Sequence, residues 1–449
     1  MTFSSSQPLT QRRIFSFWLP LAASWVLMTL EGPFVQAAIA RMPDPETALA
    51  AFGIVASLSI TIESPIIMLL ATSTALCRDR DAYRVLRRFM IWLNLLLTGV
   101  QIIVAFTPVF DWIVLGAMDV PEHIARAARP GMAIMILWSA AIGWRRFYQG
   151  ILIRFGETQR VSYGTAVRLL SSGGAAALLA WRSELSGVAV GSCALMAGVL
   201  AEAALVTWLV RPTLDRQFGT GVLSRIEPTK GDLTMRRVLG FHTPLAATSL
   251  LTLLSQPLIS AGLARMAFPE QSLAAWPVAS SVVLFARSFG MAMQEVVIAL
   301  LYGPETFAPV RRFVLNVAAG GVLLLGLIAF TPLGNVYLRK FAGVSVELAS
   351  FVRPGLRAAL LIPGLTALQS WLRALLMKGE STSSIYQAMG INLVVTAMAL
   401  FGGVAVKAPG IEMAAVALTV AMLVELFFLG RRSRYMLRAL GWPVVTGLG

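Results

Sequence analysis

Long apolar runs alternate with short polar connections from one end of the chain to the other. Apolar runs of 18 or more residues are typical of transmembrane helices. Strand-type alternation with regularly spaced turns is absent, which disfavours an outer-membrane barrel. The pattern predicts twelve helices, at 14–40, 47–75, 88–116, 130–153, 160–181, 186–210, 238–264, 272–302, 312–333, 350–376, 383–406 and 410–430.

The two halves of this pattern are repeats of each other. Residues 12–42 align without a gap on residues 236–266, with 14 of 31 positions identical. After a single deletion the offset changes from 224 to 223, and Glu202 then aligns with Glu425. Internal symmetry in a hydrophobic chain is typical of transporters with two lobes and a site between them.

The repeat predicts an all-α integral membrane protein with two pseudo-twofold-related six-helix lobes. The lobes are residues 1–210 and 238–449, and a cytoplasmic loop at 211–237 joins them. Six helices per lobe is an even number, so both lobes insert in the same orientation. When the first four residues of each span are counted with the loop before it, one side of the membrane holds 22 Lys and Arg, against nine on the other. This bias places both termini in the cytoplasm, and we expect a monomer in the plasma or inner membrane.

Composition supports a membrane protein and narrows its chemistry. The chain is 57% hydrophobic and 13% charged, whereas soluble domains carry about 25% charged residues. The net charge of +15 lies in the loops between apolar spans, which follows the positive-inside rule and argues against nucleic acid as a partner. Cys77, Cys193, His123 and His242 are too few and too scattered for a disulfide framework or a metal site. No phosphate-binding loop or catalytic constellation appears, so we expect neither an enzyme nor a bound cofactor.

Ionisable side chains inside the spans are the candidate functional residues, because an unpaired charge in the membrane costs several kcal/mol. We expect the functional residues to lie at aligned positions where one repeat carries a charge that the other repeat lacks or reverses. Glu31 aligns with Ser255, and Glu63 aligns with Arg287. We expect Glu63 and Arg287 to face a central cleft and to form a bridge with which substrate or a proton competes. The alternative is that each pairs within its own lobe.

Glu31 is followed closely by Pro33, which removes a backbone hydrogen bond and is expected to open the helix. Pro257 is expected to do the same in the second lobe, so both prolines are candidate hinges. A carboxylate beside such a break could take up H+ or Na+. The alternative is an acid that is hydrogen-bonded to the Thr29 hydroxyl.

Other polar residues of the spans complete the candidate substrate cleft: Gln294, Glu295, Arg357 and Arg145. Arg145, Arg146 and Arg168 are interpreted as side chains that extend toward the lipid headgroups. The alternative is a basic vestibule that gathers anions. Since Glu202 and Glu425 are kept in both repeats, we interpret them as architectural acids, each tied to a neighbouring helix or to a loop arginine.

Short motifs at the start of each lobe, Pro20-Leu21 and Pro244-Leu245, resemble the MOP flippase superfamily, which includes the MATE exporters. The chain is most similar to the progressive ankylosis (ANK) family within that group. The motifs that carry this similarity are residues 231–246, Ser255-Gln256-Pro257-Leu258, Arg78-Asp79-Arg80, residues 150–154 and the region of Glu425. The resemblance implies a MATE-like fold of twelve helices.

The ANK family is linked to outward movement of small polyanions, whereas MATE relatives export organic cations against Na+ or H+. The first helix of the ANK family carries several polar residues, including acids, but in the corresponding region here only Glu31 is charged. From the resemblance we expect a secondary active exporter that works by alternating access and is coupled to H+ or Na+. A small organic or phosphate-containing anion as substrate is favoured by Arg287, by Arg357 and by the fourth-helix arginines Arg145 and Arg146. A multidrug cation is favoured by Glu31 and Glu63. A flippase for lipid-linked oligosaccharides and a non-transporting membrane scaffold are further alternatives.

Overall fold

The computed structural model describes residues 9–182, 184–218, 233–378 and 382–439. Nearly all of these residues are helical. The helices are α1 (Gln11–Ile39), α2 (Pro45–Ile67), α3 (Leu69–Leu76), α4 (Arg80–Phe106), α5 (Val109–Asp111), α6 (Glu122–Ile134), α7 (Trp138–Arg154), α8 (Thr158–Arg182), α9 (Gly187–Phe218), α10 (Met235–Leu253), α11 (Ser255–Arg265), α12 (Pro269–Met291), α13 (Met293–Leu300), α14 (Pro304–Phe330), α15 (Pro332–Asn335), α16 (Val346–Ala358), α17 (Ile362–Lys378), α18 (Thr382–Ala405) and α19 (Gly410–Ala439). Two π-helical turns, Trp112–Ala117 and Val336–Phe341, and one 3₁₀ turn, Met135–Leu137, complete the elements.

Each of the twelve predicted spans is helical over most of its length, which confirms the all-α fold. Nine helical segments of the described chain are long and apolar enough to cross a membrane, and three of them are the pairs α2–α3, α10–α11 and α12–α13. The pair α16–α17, bent by 41°, makes a tenth if its two helices form one span. The other two predicted spans, α6 with α7 and then α8, are helical but less apolar because arginines interrupt them. Most of the predicted loop at 211–237 lies outside the described residues.

Helix breaks occur at equivalent points of the two repeats. The break between α2 and α3 is at Met68, and the break between α12 and α13 is at Ala292, which is 224 positions later. In the first repeat, Pro65 lies inside α2 just before the break and supplies no N–H to the helix. The two candidate hinge prolines behave differently from each other. Helix α1 continues through Pro33 without the opening that we expected, whereas the second repeat breaks at Leu254, before Pro257.

Contacts divide the chain into two compact units that do not follow the two sequence repeats. One unit, here called the C unit, holds residues 1–30, 278–341 and 345–449. The other, here called the N unit, holds residues 31–277 and 342–344. The first part of α1 therefore packs with the helices of the second repeat. The lobe boundaries at 210 and 238 stay a prediction from the repeat.

The core of the C unit shows how α1 is held. Trp18 of α1 is buried, and its indole N–H donates to the Phe289 carbonyl at 3.1 Å. The Trp18 ring also meets the ring of Phe313 edge-on, with centroids 5.7 Å apart. Around this contact lies an apolar core that includes Val296 and Trp371. A large aromatic side chain buried with its polar atom satisfied is a strong anchor.

The N unit contains the equivalent contact, made by the first helix of the second repeat. His242 of α10 occupies the position of Trp18, and Phe89 occupies that of Phe313. The His242 ring meets Phe89 edge-on at 4.9 Å, and its Nδ1 lies 2.9 Å from the Thr72 hydroxyl. In each repeat, the first helix therefore begins by packing on helices of the other repeat.

Candidate functional site

A buried carboxylate on α9 is the centre of the polar interior of the N unit. Glu202 is completely buried, and both of its oxygens accept from Arg145 Nη1 at 2.8 Å. Gln149 Nε2 donates to the same carboxylate at 2.9 Å. Arg145 and Gln149 are four residues apart on α7, so they lie on one face of that helix. Arg145 is thus a buried structural partner of Glu202, and the prediction that it extends to the headgroups is wrong.

A second ion pair adjoins this one. Arg168 of α8 binds Glu31 through two parallel hydrogen bonds, Nε to Oε1 at 2.9 Å and Nη2 to Oε2 at 2.5 Å. Such a bidentate pair is both strong and directional. Arg168 Nη1 also lies 3.9 Å from Glu202, which joins the two pairs. The prediction that Arg168 extends toward the lipid headgroups is therefore wrong. Glu31 binds Arg168 and not the Thr29 hydroxyl, because that hydroxyl donates to the Val26 carbonyl.

Glu63 differs from these paired acids. Its side chain is buried on α2, but its Oε2 has no hydrogen-bond partner among the described residues. Other buried polar atoms without a partner lie along α2 and α7: Ser64 Oγ, Trp138 Nε1, Ser139 Oγ, Arg145 Nε, Arg146 Nε and Gln149 Oε1. Buried polar groups are normally satisfied by protein or by ordered water. These atoms lie on two packed helices, α2 and α7, so Glu63 is surrounded by polar groups whose hydrogen-bonding capacity the described residues do not fill.

The C unit holds an equivalent of the Glu202 cluster, in which the arginine and the glutamine that bind the acid have exchanged positions. Glu425 of α19 is buried and accepts from Gln369 at 3.0 Å, from Asn392 at 2.8 Å and from Arg373 Nε at 3.1 Å. At the offset of 224, Gln369 takes the place of Arg145, and Arg373 takes the place of Gln149. Each acid therefore binds one arginine and one glutamine that lie a single turn apart, in opposite order. The architectural interpretation of Glu202 and Glu425 is confirmed.

Arg287 of α12 is half-buried in the C unit, where its Nε donates to the Thr366 hydroxyl at 2.9 Å. Glu425 attracts its charge and Arg373 repels it, but three other side chains already bind Glu425. The guanidinium therefore keeps a positive charge that no described acid of its unit binds directly. The predicted bridge from Arg287 to Glu63 stays a prediction.

The remaining predicted residues are dispersed. Gln294 lies near the Met377 sulfur at 3.6 Å, and Glu295 is exposed on α13. Arg357 is exposed on α16, with its Nε 3.4 Å from the Ala329 carbonyl and its guanidinium over the Phe330 ring. Of the sequence candidates, the structure therefore collects Glu31, Glu63 and Arg145 in one polar network of the N unit.

Several site residues were not among the sequence candidates. The repeat alignment already contained a signal for two of them, Gln369 and Arg373. These residues align with Arg145 and Gln149, so the arginine and the glutamine stand in opposite order in the two repeats. The sequence held no such signal for Trp138, whose ring lies under the Arg168 guanidinium at 5.7 Å. Within the described ranges, no three His, Cys, Asp or Glu side chains are placed to hold a metal ion.

Comparisons with known proteins agree with this architecture. No family model matches the sequence, and no curated protein matches it. Solved structures do match. The chain has the fold of the MATE transporters. It is similar to the inward-facing conformation of a multidrug resistance MATE family transporter of the MOP superfamily, with a TM-score of 0.73 and 12% identity over 96% of this chain and 99% of that one.

Two further solved structures have the same fold. The lipid II flippase MurJ, in an inward closed conformation, matches with a TM-score of 0.71 and 12% identity over 95% of this chain and 88% of that one. A MOP superfamily transporter from Pyrococcus furiosus, described as having a binding pocket of reverse polarity, matches with a TM-score of 0.64 and 12% identity over 97% of this chain and 98% of that one. The fold of this superfamily thus supports multidrug transporters and a lipid flippase.

Proposed function

We propose that this protein is a secondary active transporter that exports a small organic or phosphate-containing anion by alternating access, driven by H+ or Na+. The MATE-like fold supports transport, since the solved structures with this fold are described as transporters and a flippase. The resemblance of short motifs to the ANK family supports an anionic substrate. The fold by itself does not select among substrates.

The observation that carries the anion proposal is the charge balance of the C unit interior. Arg287 and Arg373 face one buried acid, Glu425, so one positive charge is left over. Arg287 holds that charge, and its hydrogen bond within the described residues is the one from Nε to the Thr366 hydroxyl. A guanidinium whose N–H groups remain available binds carboxylate or phosphate well, often through two hydrogen bonds.

In the N unit, by contrast, the acidic and basic side chains of the polar interior balance each other in charge. Glu31, Glu63 and Glu202 there match Arg145, Arg146 and Arg168 in charge. Glu63 is the acid in this set that has a buried oxygen with no partner, and ionised buried oxygens without partners are costly. We assign proton or Na+ coupling to Glu63, because the carboxylate of Glu31 is fully occupied by Arg168.

The test is uptake into proteoliposomes with labelled citrate, labelled pyrophosphate and a cationic dye, each with and without a pH gradient. We expect uptake of at least one anion and none of the dye. Arg287→Ala should reduce anion uptake at least about tenfold, since it removes a charge-assisted contact, and Arg287→Lys should restore part of it. The control is Arg182→Ala, because Arg182 is exposed at the end of α8 with its guanidinium over Trp181.

Coupling has its own pair of variants. Glu63→Gln should leave uptake insensitive to the gradient, whereas Glu122→Gln, at an exposed acid of α6, should leave the dependence intact. Transport of the dye instead of the anions would favour the multidrug alternative. Movement of a lipid-linked oligosaccharide between leaflets would favour the flippase, and an absence of all three activities would favour the scaffold.

A further inference from the structure

A cavity outside the polar clusters opens in the C unit, between the start of α1 and one face of α14. Its volume is about 590 Å³, within the range of ligand-binding pockets. The α14 residues that line it are spaced four apart in two adjacent rows, which form one stripe of the helix. One row is Arg312, Asn316, Gly320 and Leu324, and the other is Phe313, Val317 and Gly321.

Polarity changes along this stripe from one end to the other. Arg312 and Asn316 are exposed at the end nearer the start of α14, and Arg12 of α1 is exposed beside them. The middle is formed by Gly320 and Gly321. Gly320 is exposed and leaves open space where a Cβ would lie, whereas a Cβ at Gly321 would lie 3.1 Å from Pro363 of α17. The far end, at Leu324, is apolar. A cavity with cationic groups at its mouth and an apolar floor is complementary to an anionic amphiphile.

The walls of the cavity are fixed by named contacts. Gln11 Nε2 donates to the Pro309 carbonyl at 2.8 Å, which ties the start of α1 to the start of α14. Trp18 is held by Phe289 and Phe313 as described above, and Phe15 packs on Trp18 with ring centroids 5.6 Å apart. The groove is therefore preformed in the folded protein.

The charges at the mouth are uncompensated. Neither Arg12 nor Arg312 makes an ion pair or hydrogen bond with any residue of the described chain, and the described lining contains no acid. Two adjacent guanidinium groups in this position attract a phosphate and form charge-assisted hydrogen bonds with it.

The length of the groove matches one leaflet. Arg312 and Leu324 are twelve residues apart, which corresponds to about 18 Å along a helix. Half of the hydrocarbon core of a bilayer is about 15 Å thick. A lipid whose phosphate meets the arginines at the membrane surface would thus lay one acyl chain along the whole stripe.

We infer that this groove is a binding site for an anionic phospholipid of the leaflet on the N-terminal side, with its headgroup at Arg12 and Arg312 and one acyl chain over Gly320 and Gly321. Neither Arg287 nor any member of the Glu425 cluster lines the groove, so the lipid site does not share residues with the proposed substrate and coupling sites.

The experiment is native mass spectrometry of the purified full-length protein, titrated with phosphatidylglycerol or with phosphatidylcholine of the same acyl chains. We expect the wild type to bind phosphatidylglycerol more tightly. The double variant R12Q/R312Q should lose that preference by about tenfold or more. Since both arginines are exposed on helices, this variant does not depend on repacking a core.

A second pair of variants tests the acyl groove. A Cβ at Gly320 meets no atom within 4 Å, so Gly320→Leu should fill the groove and weaken binding of both lipids. Gly402→Leu is the control, because Gly402 is also an exposed helical glycine with open space at its Cβ and does not line the cavity. Retention of the phosphatidylglycerol preference in R12Q/R312Q, or equal lipid binding by Gly320→Leu and Gly402→Leu, would overturn the assignment.

Discussion

Exchanging Arg145 and Gln149 on α7 tests whether the two buried acids are equivalent architectural centres. Glu202 is held by Arg145 and Gln149, and Glu425 by Gln369 and Arg373, in opposite order. The double variant R145Q/Q149R gives the first repeat the order found in the second. We therefore expect R145Q alone to be strongly destabilising and the added Q149R to reverse the loss.

The magnitude follows from the burial of the pair. Glu202 is 0% exposed and Arg145 is 5% exposed, and removing one member of such a buried pair costs roughly 3–5 kcal/mol. We expect the lower end of this range, about 3 kcal/mol, because Arg168 Nη1 stays 3.9 Å from Glu202. In the double variant, the new arginine starts from a position whose glutamine already reaches Glu202 at 2.9 Å.

The assay is thermal unfolding of the purified protein in detergent, followed by tryptophan fluorescence, for the wild type, R145Q, Q149R and R145Q/Q149R. R145Q should lower the midpoint by several degrees, and the double variant should recover most of the loss. The four proteins form a double-mutant cycle, so the coupling between positions 145 and 149 is measured directly. A double variant no more stable than R145Q would refute the reasoning, since it would show that Glu202 needs its arginine at one position only.

Three further comparisons test packing and ion pairing elsewhere in the protein. Gly150→Ala should destabilise the protein by about 1–3 kcal/mol, because a Cβ there would lie 2.5 Å from the Leu70 backbone oxygen. The control is Gly173→Ala, at a position with open space, which should be neutral or slightly stabilising in the same melting assay. Trp18→Phe should cost about 1–3 kcal/mol, since it leaves the Phe289 carbonyl without its donor; an unchanged melting temperature would argue against α1 being anchored in this way. Arg168→Leu should be more destabilising than the double variant E31Q/R168Q, measured by denaturant titration, because it strands the buried Glu31 charge.

Much of the fold follows from local patterns. The twelve spans were predicted from apolar runs alone, and each coincides with helix, because a chain in lipid must satisfy its backbone hydrogen bonds within the segment. The architectural role of Glu202 and Glu425 also followed from the sequence, since a charge kept at the same depth in both repeats is explained by the fold. The sequence did not indicate that α1 continues through Pro33, because a proline removes one helical bond and the neighbouring turns can retain the rest.

The partner of each buried charge was decided by tertiary structure. From the sequence, the side chains of Arg145 and Arg168 were predicted to extend to the headgroups. In the structure Arg145 binds Glu202 and Arg168 binds Glu31, both on helices far away in the chain. The same is true of Trp18, which buries itself against helices of the other repeat. Hydropathy and helical period are properties of residues that are close in the chain, so the sequence determined which segments are helices. It also determined which ionisable side chains lie inside those helices and therefore need a partner. Which groups meet depends on the rotation and crossing of packed helices, which only the assembled core sets.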